Sequence, residues 1–179
     1  MDSPLRAARC SAPIAAIRRP APRALLLAAL LLAGCHATTT RPFFAPVTGA
    51  AQAHIELGVK ATTGEIADVL RSDSLPVSRV EVRDGLVETD WFDATTKQRV
   101  TSRPVGPNVV QVRAWIDPYR TSFSKVTLET VYRPVADPSR ANRELEQQVP
   151  LDHPVAIRMN TILKEMAKLY GRDSSATVP

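Results

Sequence analysis

The sequence predicts an α+β domain: an antiparallel sheet of about five strands, with a short helix after strand one and a long C-terminal helix packed across the sheet. Three observations carry that expectation. Apolar and polar residues alternate with period two in several separate stretches; an Asp84-Gly85 pair sits between two such stretches; and residues 155–170 place apolar side chains three and four apart. With 179 residues, 15 Pro and 7 Gly, the chain has room for one modest core. A hydrophobic share of 44% and a charged share of 23% are those of a globular protein, which excludes a largely disordered or collagen-like polymer.

The first strand is read from residue 53, where Ile55, Leu57 and Val59 alternate with Glu56, Gly58 and Lys60. Thr62 followed by Glu65 forms a capping-box pattern, and Ile66, Val69 and Leu70 then continue at helical spacing. Ser72-Asp73-Ser74-Leu75-Pro76 ends this short helix.

A hairpin follows with Asp84-Gly85 as a two-residue turn, which sets Val82 opposite Val87, Val80 opposite Thr89 and Arg79 opposite Asp90. Residues 93–108 read as a polar connection with Pro104 and Pro107. The next pair, 109–117 and 121–133, is joined through Pro118-Tyr119-Arg120. With Asp117 opposite Thr121, Val112 meets Val126 and Val110 meets Leu128 on one face, and Trp115 meets Phe123 on the other. That aromatic pair admits two readings: cross-strand stabilisation of the sheet, or a partly exposed apolar patch, with Val109 and Val131 nearby, that binds a partner.

Residues 134–154 mix turn signals with a helical turn around Arg143-Glu144-Leu145-Glu146. Asp152 is the expected cap of the closing helix, with Pro154 in its first turn. Val155, Met159, Ile162, Met166 and Leu169 or Tyr170 form its buried stripe, and Gly171 ends it in a left-handed residue. No internal repeat or second domain is visible, and residues 172–179 read as a disordered tail.

The net charge of +5 is concentrated at the N-terminus. Residues 1–34 hold five arginines against Asp2, leaving 18 basic and 17 acidic side chains in the remainder. A near-neutral body has no strong electrostatic attraction for a phosphate backbone, so nucleic acid is not an expected partner.

The sequence shows no catalytic, metal or cofactor site. His54 and Glu56 share a strand face and His153 lies beside a helix cap, without metal-ligand spacing. No nucleophile elbow and no phosphate-cradling loop is present. Glu88, Asp90 and Asp93 cluster near Trp91, while Asp117, Asp137 and Asp152 fall in expected turns; solvation, turns and capping account for them better than a carboxylate pair does. Arginines 79, 83, 113, 133, 140 and 143 are expected in ion pairs or on solvated faces. The expectation is a non-enzymatic protein.

Before residue 36 the sequence is more specific. Arg18, Arg19 and Arg23 precede an unbroken apolar run from Ala24 to Ala33, as in an export signal. The run is about half of the ~20 residues that a membrane-spanning helix needs. Its end, Leu32-Ala33-Gly34-Cys35, resembles a bacterial lipobox. The resemblance implies that Leu32, Ala33 and Gly34 are recognised by the signal peptidase and that the chain is cut before Cys35. The Cys35 sulfur then receives diacylglycerol and its new amino group is acylated, for instance with palmitate. Two or more acyl chains make attachment stable where one is marginal. His36 after the cysteine, in place of the Asp common in lipoproteins kept at the inner membrane, points to outer-membrane sorting, with the protein facing the periplasm.

Residues 35–52 then form a lipidated cysteine and a flexible tether with an r.m.s. reach of roughly 20–25 Å, leading to a single domain over 53–171. Phe43-Phe44 within the tether is open to docking on the domain, on the membrane or on a partner. Cys10 leaves with the signal and Cys35 is taken by lipid, so no disulfide is expected.

The lipobox, the proline-containing tether and the domain together resemble outer-membrane lipoproteins with a BamC-type helix-grip domain. The hairpin Val80–Trp91 and the closing helix carry the likeness. Membership would imply an accessory, non-enzymatic subunit of outer-membrane protein assembly; the known type has two such domains and a long unstructured segment, whereas this chain has one domain and a short tether. Two functions follow as expectations. One is a lipid-anchored protein-interaction module bound to an envelope protein through Trp115 and Phe123 or the 93–108 loop. The other is a carrier or sensor holding a lipid or small apolar ligand between the sheet and the C-terminal helix.

Overall fold

The computed structural model describes residues 41–42 and 45–171. The signal segment, Leu32, Ala33, Gly34, Cys35, His36, Phe43-Phe44 and the 172–179 tail lie outside the described residues. In chain order the elements are β1 (Ala51–Ile55), α1 (Val59–Ser72), β2 (Val77–Glu81), β3 (Leu86–Thr89), β4 (Phe92–Asp93), β5 (Val109–Arg120), β6 (Phe123–Tyr132), β7 (Gln147–Gln148) and α2 (Pro154–Tyr170). The fold is α+β with one antiparallel sheet, whose main path runs β1-β6-β5-β3-β2; β4 pairs with β5 and β7 with β6. The sheet has seven strands rather than about five, because two-residue strands at 92–93 and 147–148 are too short to leave a period in the sequence.

One face of the sheet is apolar and carries both helices. Ala51, Ala53 and Ile55 of β1, Val87 of β3, Val110, Val112, Ala114 and Ile116 of β5, and Val126 and Leu128 of β6 form a continuous buried cluster with both helices. α1 contributes Ile66, Ala67 and Leu70; α2 contributes Val155, Ala156, Met159, Ile162, Leu163, Met166 and Ala167. Each fully buried side chain of Leu or Ile size contributes roughly 1.5–3 kcal/mol. The stripe on α2 follows the predicted spacing and ends on Tyr170, which packs against the core, while Leu169 is 74% exposed.

Both helix starts differ from expectation. α1 begins at Val59, so the alternation through 59 stops at Ile55 and the chain turns. Its N-cap is Gly58, with no side-chain cap. Thr62 and Glu65 therefore do not form a capping box. The Thr62 hydroxyl instead lies 2.8 Å from that of Ser124 on β6, pinning the helix to the sheet from within the core. α1 ends as expected: Ser74 at φ 62° lets the Leu75 amide reach back to the Leu70 carbonyl and the Ser74 amide to Arg71. On α2 the cap is His153, not Asp152; its Nδ1 accepts the Val155 amide at 3.3 Å, and Pro154 occupies the first turn. Gly171 is not left-handed, with φ −113°. A Cβ there would overlap the Ala167 carbonyl oxygen, so it is close packing that favours glycine.

Both hairpin registers are also shifted. In the first, Val80 pairs with Val87, Arg79 with Glu88 and Glu81 with Leu86. The loop is the four residues Val82–Gly85, closed by the Asp84 amide on the Glu81 carbonyl, with Gly85 at φ 62°. In the second, β5 continues through Tyr119 and Arg120 and turns at Thr121-Ser122, with Ser122 at φ 64°. Pro118 does not turn the chain. It lies beside a register irregularity, where a missing N–H is tolerated.

Candidate functional site

Trp115 and Phe123, the residues singled out for partner binding, are not brought together as cross-strand partners. The register sets Trp115 opposite Thr127, and Phe123 opposite Arg120 at the turn. Trp115 is 1% exposed. Arg41 covers it: the guanidinium lies 4.9 Å from the indole ring, donates to the Asp117 carboxylate at 2.7 Å and to the Asp84 carbonyl at 3.3 Å. Arg41 of the tether thus closes the proposed apolar patch over Trp115; Val131 is buried too, and Phe123 and Val109 remain partly open. Asp117 lies within β5 rather than in a turn, which is why it can serve as the tether's anchor.

The face of the sheet opposite the helices carries an ionic cluster. Arg113 on β5 and Glu129 on β6 are directly opposite each other, so their side chains emerge side by side. Arg113 is 4% exposed and Glu129 0%. The Arg113 guanidinium donates to Glu129 at 2.8 Å, to Glu146 at 2.8 and 3.1 Å and to Glu88 at 2.9 Å, and also to Gln111. Arg143 binds the same two acids, Glu129 at 2.9 Å and Glu146 at 2.9 Å. Both Arg143 and Glu146 come from a single 3-10 turn and its cap (Asn142–Leu145, then Glu146), which local propensity alone would not hold.

The charges explain the electrostatics. Burial alone would make the Arg113 charge harder to keep, yet the hydrogen bonds and charges of Glu146 and Glu129 outweigh it and hold the guanidinium firmly protonated. Burial likewise works against the Glu146 carboxylate, but Arg113 and Arg143 hold it below the usual carboxylate range. Arg133, desolvated and beside both Glu146 and Arg113, shifts down, and its guanidinium stacks over Trp91 at 4.3 Å.

The cluster also holds the tether. Glu129 accepts the Val47 amide at 2.8 Å, and Arg143 donates to the Ala45 carbonyl at 2.8 Å. Together with Arg41 on Asp117, these contacts seat the described part of the 41–50 segment on the polar face.

The remaining candidates have local roles. Asp93 accepts the Thr95 and Thr96 amides and the Thr96 hydroxyl, and Asp137 accepts the Ser139 amide and hydroxyl; both carboxyls titrate below their ordinary value, chiefly through the Thr96 amide and the Ser139 hydroxyl respectively. Asp90 pairs with Arg99. His54 stacks on Tyr119 with ring centroids 4.0 Å apart. Among the described residues no group of three or more His, Cys, Asp or Glu is placed to hold a metal ion, and no helix is long and apolar enough to cross a membrane.

Free space is small where a ligand was considered. Between the sheet and α2 one opening, lined by Ala51, Leu128, Thr130, Ala156 and Met159, measures about 10 Å³, the room of a single water, and a second, lined by Leu75, Phe92, Ala94, Val155 and Met159, about 110 Å³. A cleft of about 210 Å³ lies between Arg103, Arg133, Asp137 and Asn142.

The signal that sequence reading missed was an opposite-charge pair in the middle of two otherwise apolar strands: Arg113 between Val112 and Ala114, and Glu129 after Leu128. Read by period two, both belong to a solvated face; what buries them is the distant 142–146 turn. The chain matches no protein-family model, and none of the curated proteins searched is significantly similar to it.

Proposed function

We propose that this chain is a lipid-anchored, non-enzymatic lipoprotein of the cell envelope that acts as a protein-interaction module at the outer membrane, facing the periplasm. The observation that carries the reading is Leu32-Ala33-Gly34-Cys35 at the end of an apolar run too short to span a bilayer. The geometry is compatible with it in two ways. The tether leaves the domain from a fixed point, Arg41 on Asp117, and the openings between the sheet and α2 are small, about 10 and 110 Å³. Both openings fall below the roughly 300 Å³ at which ordinary ligand pockets begin, which favours an interaction module over a carrier. An accessory role in outer-membrane protein assembly rests on the BamC-type resemblance.

The anchor is tested by intact-mass measurement and palmitate labelling of the mature protein. The expected result is a chain beginning at a triacylated Cys35, and a Cys35→Ser variant that keeps its signal and takes no label. An unmodified thiol, or an N-terminus elsewhere, refutes the reading. The partner is tested by photo-cross-linking in cells from Thr101 in the 93–108 loop and from Ile157, which is exposed in the first turn of α2. One dominant protein adduct supports an interaction module; a stoichiometric co-purifying lipid without any adduct supports the carrier.

A further inference from the structure

We infer that the domain rests on the bilayer by one end, with the β5–β6 turn and the last turn of α2 against anionic headgroups. The inference builds on the lipidation of Cys35 proposed above and adds an orientation to it.

Three observations converge on that end. The first is where the tether is seated. Arg41 is fixed to Asp117, close to the β5–β6 turn, and only residues 36–40 separate it from Cys35. Six residue steps span at most roughly 20 Å even fully extended. The opposite end of the sheet, at Val109, lies eight residues back along β5 from Asp117, roughly 26 Å away. The leash therefore holds the turn end within roughly 20 Å of the membrane and sets no such limit for the other end.

The second observation is the side chains gathered there. The α2 C-terminus is tied to the end of β1, with the Glu56 amide donating to the Tyr170 carbonyl at 2.7 Å, and His54 beside it stacks on Tyr119. This sets Leu169, 74% exposed, at the same end as Tyr119, 44% exposed, and the partly exposed Phe123. Aromatic and aliphatic groups of this kind favour the headgroup boundary.

The third is charge. Lys60, Arg83 and Arg120 are exposed at this end, and Lys168 lies in the last turn of α2. Val59, next to Lys60, sits against Gly85 of the β2–β3 loop, which brings the loop's Arg83 to the same side. Of the acids at this end, Asp117 pairs with Arg41, Glu65 accepts a hydrogen bond from the Tyr170 hydroxyl and Asp68 pairs with Arg71, while Glu56 and Asp84 are partly buried. Clustered Lys and Arg beside a bilayer are attracted by anionic lipid.

The test uses the full mature lipoprotein in vesicles of phosphatidylethanolamine with phosphatidylglycerol, bearing a nitroxide on the headgroup. A fluorophore is placed through Thr121→Cys at the turn or through Asp152→Cys at the opposite end, both exposed positions. The label at 121 is expected to be quenched several-fold more than that at 152, and Arg41→Ala is expected to narrow the difference. Equal quenching in a protein that floats with the vesicles and carries lipid on Cys35 overturns the orientation alone. A protein without lipid on Cys35 overturns both the anchor and the orientation.

Discussion

Replacing Arg113 by methionine tests whether the polar face is a closed ionic core. Methionine keeps the length and much of the volume of the stem but removes every donor. Glu129, fully buried, would retain Arg143 and the Val47 amide, while Glu146 would share that same arginine and Glu88 would lose its 2.9 Å bond. Breaking a buried pair by removing one partner costs about 3–5 kcal/mol, mostly because an uncompensated charge stays buried. For a domain of this size that corresponds to a fall in Tm of roughly 10–20 °C. The assay is thermal unfolding at neutral pH, with Arg140→Ala as control; its pair with Glu144 is exposed, and the expected loss is under about 0.5 kcal/mol. Adding Glu129→Gln to Arg113→Met should recover part of the loss, because a neutral amide is cheaper to bury than an orphaned carboxylate. An Arg113→Met protein that melts within about 3 °C of the parent would refute the argument, since the cost of leaving buried acids short of partners would then be absent.

Gly85→Ala forces a Cβ into the Ile116 carbonyl oxygen at a positive φ, so it should destabilise by more than about 2 kcal/mol in a denaturant titration, with the slope unchanged. Ser74→Gly and Ser122→Gly relieve positive φ at a helix end and a turn, and each should leave the unfolding free energy unchanged or raise it by up to about 1 kcal/mol. Trp115→Ala should cost about 3–5 kcal/mol, far more than Phe123→Ala, because the indole is buried beneath Arg41 rather than displayed. The Glu146 carboxyl is held below its unfolded value of about 4.3, so its contribution is complete above that pH and is lost as pH falls through the lower folded value. Glu146→Gln should flatten the acid limb of stability against pH; an unchanged slope would rule out this group as its source.

What was legible in the sequence was the face of each strand, and what was not was the pairing. The first hairpin register is displaced by two residues and the second by four, both even numbers, so Val80 and Val87 still share a face, as do Val110, Val112, Val126 and Leu128. Period two fixes which side a residue occupies; only the turn fixes what it meets. Asp84-Gly85 has the chemistry of a two-residue turn but closes a four-residue loop, and Thr121-Ser122 turns with a serine at positive φ that no composition rule would select. Pro118-Tyr119-Arg120 carried the stronger turn signal and stayed in the strand. The α2 stripe was read almost entirely, since one helix face against a sheet needs no information from elsewhere in the chain. Trp115 was misplaced for the opposite reason. Its burial depends on Arg41, 74 residues earlier, whose ion pair with Asp117 leaves no local pattern.

The two faces of the sheet do different work because different partners cover them. Helices cover one face, and apolar contact is sufficient there because a helix brings its own backbone hydrogen bonds. The other is covered by irregular chain, the 45–50 segment and the 142–146 turn, whose backbone groups must find partners in the sheet's side chains. Glu129 and Arg143 supply them, one accepting the Val47 amide and the other donating to the Ala45 carbonyl. A buried ion cluster adds little net stability compared with an apolar replacement. It does, however, specify where the covering segments lie, and so where the tether leaves the domain. An apolar face in its place would leave the Val47 amide and the Ala45 carbonyl without these partners, so the 45–50 segment would be held less firmly. Arg41 would still hold Asp117, but with a looser segment behind it the exit point would be less firmly fixed, and a short leash to Cys35 would favour one end of the sheet less strongly. Substituting the cluster as a whole by apolar residues should therefore cost less stability than Arg113→Met alone while narrowing the difference in headgroup quenching between positions 121 and 152; an undiminished difference would show that the Arg41–Asp117 contact and the exposed residues at the turn end orient the domain without help from the cluster.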